Sequence, residues 1–287
     1  MKGTEDVLEQ YDSKRGLQFY RTVMGDGGSS IHYGMYHQPD ETMEHAVKNT
    51  MFFMARQAER YITLDQNSKI LDLGSGVGAA SHFLTEKYGC ATTCVNISPN
   101  QNALNIQQAA ALGIEHLIEI EEVSFDSLPE EWDSEFDLVW SEEAFCHGAD
   151  KLKILQDVRR VLNRQGVCVF TDIMAGERAG KDELASFTQQ NAVTDLARPS
   201  EYFSWALDVG FSDVRYYDFS SHLVRNFEKM ISQIDENFDV LLKQDVPAEY
   251  MSEFRNSLVR RIQAVQAGTF SWGCFCLYND ASSASFQ

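Results

Sequence analysis

Positive charge is what this sequence has least of. Its 24 lysines and arginines are set against 43 aspartates and glutamates, a formal charge of −19. A phosphate backbone demands a basic stripe; none is present, so nucleic acid is excluded as a partner. Acidity on this scale keeps a protein soluble, and it also suits high intracellular salt. Long apolar runs are missing too, so no segment is expected to span a bilayer. The start, Met1-Lys2-Gly3-Thr4-Glu5-Asp6, lacks the basic and apolar regions of a secretory signal, and the expected compartment is the cytoplasm. The cysteines Cys90, Cys94, Cys146, Cys168, Cys274 and Cys276 show no C-x-x-C spacing. Lying mostly in predicted strands, they read as buried hydrophobes of a reducing compartment rather than zinc ligands or a disulfide frame. No metal is expected, and there is no internal repeat or low-complexity tract.

What is present is centred on Lys69 to Ser81, which reads KILDLGSGVGAAS. An apolar strand-type run ends in an acid, and three glycines at alternate positions then lead into a helical pattern through Phe83, Leu84 and Tyr88. Glycine belongs where φ is positive and where a ligand must approach main chain with no Cβ in the way. A helix start adds unpaired N–H groups and a positive dipole end, so the turn is expected to carry a nucleotide-like ligand. The dinucleotide pattern of G-x-G-x-x-G with an acid about 20 residues later is absent: the spacing is G-x-G-x-G, and the next strand ends in Asn96. Asp72 to Gly78 resembles motif I of the class I methyltransferases that use S-adenosylmethionine.

The 287 residues allow one large domain, or one with a modest insertion. Residues 1–65 are expected to form a helical lid, with a glycine loop at 25–28 and the aromatic segment Ile31-His32-Tyr33-Gly34-Met35-Tyr36. Strands are predicted at 91–97, 118–123, 136–141, 167–172, 214–219 and 270–278, with helices between them. Asn163-Arg164-Gln165-Gly166 is expected to be a helix stop, 174–198 a loop or mobile helix, and 281–287 a frayed end. This βα alternation predicts an α/β fold, a doubly wound, mostly parallel sheet of seven strands. Residues 66–222 and 269–280 then make the donor-binding domain, and a helical insertion at 223–268 caps it.

Over nearly its full length the chain resembles the sarcosine/dimethylglycine N-methyltransferases of betaine synthesis. The resemblance rests on Phe19-Tyr20-Arg21, the aromatic segment at 31–36, Asp72 to Gly78, Asn96-Ile97-Ser98 with Gln101-Asn102, Ser124-Phe125, Trp140-Ser141, Ala144-Phe145-Cys146-His147, Phe170 to Met174 and Trp272-Gly273. It implies S-adenosylmethionine as donor and, as acceptor, a small carboxylate that becomes an osmolyte, in a monomer or homodimer. For the donor it implies Tyr20, Tyr33, Gly34, Asp72, Gly74, Ser75, Gly76, Asn96, Ile97, Gln101, Ser124, Phe125 and Ser141. For the acceptor it implies Tyr36, Glu142, His147, Ile173, Met174, Arg225, Phe227 and Trp272, with His147, Tyr33 and Arg225 carrying the chemistry.

Methyl transfer is an in-line displacement in which the donor supplies the activation, so the protein aligns the acceptor lone pair and excludes water. The π faces of Tyr20, Tyr33 and Tyr36 would favour a sulfonium cation. An amine must arrive neutral, which His147 could assist as base; a carboxylate would pair with Arg225, or else with Arg21 or Arg178. The chain departs from the dimethylglycine enzymes at Ile173, where they carry proline, at Glu142-Glu143, where they carry Gln-Asp, and at Arg225-Asn226-Phe227, where they carry Asn-His-Tyr. A thioether acceptor needs no base, so S-methylation of 4-methylthio-2-hydroxybutyrate toward dimethylsulfoniopropionate is the alternative. A catalytically silent nucleotide-binding regulator is the third reading. Glu142 and Glu143 are also open to a bland reading, as a charge pair at a helix N-terminus.

Overall fold

The computed structural model describes residues 14–25, 30–180, 182–184, 193 and 195–280. The expected glycine loop at 26–28, the end at 281–287 and most of 185–194 lie outside them. In chain order the helices are α1 (Lys14–Gly25), α2 (Met43–Ala58), α3 (Ala79–Tyr88), α4 (Pro99–Leu112), α5 (Lys151–Val161), α6 (Pro199–Asp208), α7 (Ser220–Glu236), α8 (Phe238–Lys243) and α9 (Ala248–Gln266). The strands are β1 (Lys69–Leu73), β2 (Ala91–Val95), β3 (Ile118–Glu121), β4 (Phe136–Glu142), β5 (Leu162–Ala175), β6 (Asp213–Asp218) and β7 (Phe270–Tyr278).

These strands form one sheet in the order β3-β2-β1-β4-β5-β7-β6. Pairing is parallel from β3 to β5, while β7 runs antiparallel to both β5 and β6. The order reverses at β1, whose neighbours are β2 and β4, and open α/β sheets bind ligands at the carboxyl edge of that switch point. The glycine turn leaves the sheet there. Helices cover both faces because the central strands are apolar on both sides; in β4, Leu138, Val139 and Trp140 are all fully buried.

Local chemistry sets the boundaries. Thr42, Ser98 and Asp150 cap α2, α4 and α5 by accepting N–H bonds from the third residue on. Gly89 and Gly113 close α3 and α4 in the left-handed conformation. Several boundaries differ from the sequence reading: β2 ends at Val95 and β3 at Glu121 rather than at 97 and 123, β5 runs on to Ala175, and α7 starts at Ser220. Asn163 to Gly166 do not stop α5 as a loop but open β5, with an irregular register against β4 between Phe136 and Leu138. Gly166 permits this because a Cβ there would lie 3.1 Å from the carbonyl oxygen of Phe136.

Candidate active site

One cavity runs along the carboxyl edge of β1, β2 and β4 and encloses about 1370 Å³, its open mouth included. At one end lie Gly74, Gly76, Asn96, Ile97, Ser98, Gln101, Ser124, Phe125 and Asp126. The turn from β1 to α3 is held by two N–H groups, of Gly74 and Ser75, which both donate to the carbonyl of Val95 at 2.9 and 3.1 Å, while Gly78 donates to Ser75. Those three N–H groups are therefore spent within the protein. What the turn offers is an edge without Cβ atoms. Gly76 has φ +54°, and a Cβ on it would meet nothing closer than 3.9 Å. Asn96 is fixed beside it by donating to Gln101 Oε1 at 3.2 Å and Asn102 Oδ1 at 3.0 Å.

The inner end is charged and aromatic. Tyr20 and Met24 reach it from α1, Met230 from α7, Phe254 and Arg261 from α9, and Ile31, His32 and Tyr33 from the segment before α2. Glu142 closes β4, and Glu143 follows with φ +49°, a left-handed backbone that L-residues seldom adopt. The pair therefore sits on a strand end and its turn, not at a helix N-terminus. Glu143 Oε2 lies 3.0 Å from His32 Nδ1. Each acid is braced by an indole: Trp140 Nε1 donates to Glu142 Oε1, and Trp272 Nε1 to Glu143 Oε1, both at 2.8 Å.

The electrostatics follow from burial. For His32, burial opposes the charge, but the carboxylates of Glu142, Glu143 and Asp72 outweigh it and hold the ring protonated up to about 9. Glu142 is raised to about 7 by burial and by neighbouring Glu143, against the pull of His32. Burial also pushes the Tyr33 phenol well above its ordinary value, so its hydroxyl stays neutral. The short turn Phe145–His147 is fixed from two sides: Asp172 accepts the N–H of Cys146 at 3.1 Å, and Lys151 Nζ donates to the Gly148 carbonyl at 2.8 Å.

Of the residues singled out from sequence, the cavity brings together Tyr20, Tyr33, Gly74, Gly76, Asn96, Ile97, Gln101, Ser124, Phe125, Glu142, His147 and Ile173. Others lie elsewhere for identifiable reasons. Gly34 is required by packing, since a Cβ would sit 2.4 Å from that of Ala46. Asp72 is buried beneath the turn and accepts from Ser81, and Ser75 is buried within the turn itself. Ser141 donates to the Leu73 carbonyl at 2.7 Å, tying β4 to the end of β1. Tyr36 is half-buried off the cavity, its N–H directed at His222 Nδ1.

Four further positions come from the acceptor set. Met174 follows Ile173 on β5 and so faces the opposite side of the sheet, among Phe145, Phe170 and Tyr202. Arg225 sits off the buried stripe of α7, paired with Glu228 at 3.2 Å and bonded to the Pro39 carbonyl. Phe227 and Trp272 pack edge-on against Tyr33, each with ring centroids 5.8 Å from it, and serve as its backing rather than as cavity wall.

The sequence reading gave no role to His32 or Arg261, and noted Glu143 only as a departure beside Glu142. Arg261 had a signal: it falls on the stripe Met251, Leu258, Arg261 and Val265 of α9, a charge on an otherwise apolar face.

A family profile described as a methyltransferase domain matches residues 71–170, the stretch that carries the glycine turn and β4. The chain is a methyltransferase of the class I, Rossmann-like fold. It is 31% identical to a dimethylglycine N-methyltransferase of Parasynechococcus marenigrum, over 92% of this chain and 91% of that one. It is 32% identical to a glycine/sarcosine/dimethylglycine N-methyltransferase of Actinopolyspora halophila over 92% of its own length, spanning 46% of that protein. A Galdieria sulphuraria crystal structure with a provisional sarcosine dimethylglycine methyltransferase assignment superposes with a TM-score of 0.84 at 29% identity, covering 92% of this chain and 98% of that one. The protein belongs to the sarcosine/dimethylglycine N-methyltransferase family.

Its cofactor is S-adenosylmethionine. The same fold holds S-adenosyl-L-methionine in Haemonchus contortus phosphoethanolamine N-methyltransferase 2, at 15% identity and a TM-score of 0.80. The Cβ-free edge at Gly76 and the polar end of the cavity at Asn96 suit such a ligand. Among the described residues, no helix is long and apolar enough to cross a membrane.

Proposed function

We propose that this enzyme methylates the nitrogen of sarcosine or dimethylglycine, toward glycine betaine. The observation that carries the reading is Arg261, which is 5% exposed and lines the same cavity as the glycine turn. A guanidinium on the wall of a cavity can hold an acceptor carboxylate in a two-pronged, charge-assisted pair. Arg261 thus takes the part that sequence reasoning gave to Arg225.

In this reading the donor lies along Gly74, Gly76, Asn96, Ile97, Gln101, Ser124 and Phe125. Tyr20, Tyr33 and Phe254 present π faces to the sulfonium and to the quaternary product, each contributing about 0.5–2 kcal/mol. His147, at the end of its pinned turn, receives the proton that an ammonium must lose before its lone pair can attack. Of residues 1–65, the described ones act as a lid, and 223–268 act as a cap, a division supported by α1, α7 and α9 all reaching this cavity. The six cysteines are free and buried, in keeping with a cytoplasmic setting.

Asn226 and Phe227, where the dimethylglycine enzymes carry His and Tyr, make the backing of Tyr33 less polar and favour a second reading, transfer to a thioether sulfur. A product assay decides between them. Labelled S-adenosylmethionine is offered with glycine, sarcosine, dimethylglycine and 4-methylthio-2-hydroxybutyrate together, and products are separated by mass. Labelled N-methyl products are expected. A labelled sulfonium acid alone would replace the first reading with the second.

A further inference from the structure

His32, Glu142 and Glu143 each present one ligand atom to the inner cavity, and these three atoms all lie within 4.8 Å of one another. We infer that they form a binding site for one divalent transition-metal ion of the manganese, iron, cobalt or zinc class. Bonds of about 2.1 Å at right angles put neighbouring ligand atoms about 3.0 Å apart. That is the separation already present between His32 Nδ1 and Glu143 Oε2, 3.0 Å. A small closing movement of Glu142 completes the set.

A second observation is independent of that spacing. Glu142 is 4% exposed, and its Oε2 has no hydrogen-bond partner. A buried carboxylate oxygen left unmatched is costly, and a cation between it and the other two atoms removes the cost.

The bracing has the form that metal sites use. Each carboxylate has one oxygen tied to an indole N–H, Glu142 to Trp140 and Glu143 to Trp272, both at 2.8 Å, which orients the other oxygen; that of Glu142 has no partner, and that of Glu143 meets His32. One imidazole nitrogen and two carboxylate oxygens, with no thiolate, select borderline and hard divalent ions over copper(I). Three protein ligands leave coordination positions open toward the cavity, where a carboxylate oxygen or an α-hydroxyl of the acceptor can enter. The site does not depend on which acceptor is methylated, so its failure and the failure of the proposed reaction are separate results.

The test uses full-length protein stripped with a chelator and titrated with Co²⁺ or Mn²⁺ alone, read by cobalt visible absorption and by manganese paramagnetic resonance. S-adenosylhomocysteine binding by calorimetry serves as the control for folding. One equivalent is expected to bind. Glu142→Gln should weaken binding at least 10-fold, as should Trp272→Phe, which leaves all three ligands in place, while S-adenosylhomocysteine binding stays within about twofold. If Glu142→Gln fails the folding control, His32→Asn carries the same expectation. Wild-type protein that holds S-adenosylhomocysteine but takes up no Co²⁺, Mn²⁺ or Zn²⁺ at millimolar concentration overturns the inference. So does metal binding that the substitutions leave unchanged.

Discussion

Asn226 holds Gly34 by both ends of its amide. Its Oδ1 accepts the Gly34 N–H at 2.8 Å and its Nδ2 donates to the Gly34 carbonyl at 2.9 Å, joining residues 192 apart in sequence. The contact clamps the segment carrying His32 and Tyr33 onto α7. Asn226→Ala strands both backbone groups in a buried place and is expected to cost about 2–4 kcal/mol. Urea unfolding measures it, and a loss under about 0.5 kcal/mol would mean that water or a neighbour replaces the amide.

Gly76→Val puts a β-branched side chain at φ +54° on the open edge of the cavity. Strain and occupied volume act together. Calorimetry should show S-adenosylhomocysteine affinity lost by about 100-fold or more, since a few kcal/mol suffices. Wild-type affinity in this variant would move the donor away from the glycine turn.

Arg261 and Arg225 should part company in kinetics. Arg261→Gln is expected to raise the acceptor KM by roughly 10- to 100-fold, the worth of a charged hydrogen bond, with the donor KM unaltered. Arg225→Gln removes a guanidinium already engaged by Glu228 and the Pro39 carbonyl, and both constants should stay put. The reverse pattern would return the carboxylate to Arg225.

Asp172 predicts a pH slope in stability. Burial raises its carboxyl from the ordinary 3.8 to about 7, even though Tyr202 and the Cys146 N–H bond to the ionised form. The folded state therefore holds a proton that the unfolded chain releases. The resulting contribution is fully present below pH 3.8 and is lost as pH rises through about 7, up to roughly 4 kcal/mol for three pKa units. Asp72, raised to about 6, and Glu142, raised to about 7, act in the same direction, so Asp172→Asn should flatten the slope without abolishing it. Urea unfolding at pH 5, 6.5 and 8 reads this, and an unaltered slope in the variant would remove Asp172 from the account.

The donor half was legible in sequence because each part is local. A strand ending in Asp72, glycines at 74, 76 and 78, and Asn96 at the next strand end need only their neighbours for interpretation. The acceptor half is built from five segments far apart in the chain, α1, residues 31–33, the end of β4, α7 and α9, and nothing local says that residue 32 meets residue 143. Even so, periodicity contained more than was drawn from it. The buried stripe Leu223, Asn226, Phe227, Met230 and Ile234 already turns Arg225 outward, and strand parity already separates Ile173 from Met174. Glu143 is different: its left-handed turn comes from the way β4 ends against β5, where its N–H reaches the Thr171 carbonyl at 2.9 Å, and the residue itself gives no sign of it.

The place of β7 has a consequence for synthesis. It follows β6 in the chain yet lies between β5 and β6, and all the pairing of β6 is with β7. A chain ending at residue 269 would contain the glycine turn and every described helix over the cavity, but β5 would present a bare edge and β6 would have no strand to pair with. Trp272, the brace of Glu143, arrives with that same strand. The acceptor half of the site is therefore assembled by the step that closes the sheet, and a nascent chain stalled a few residues short would hold an open β edge in place of an active site.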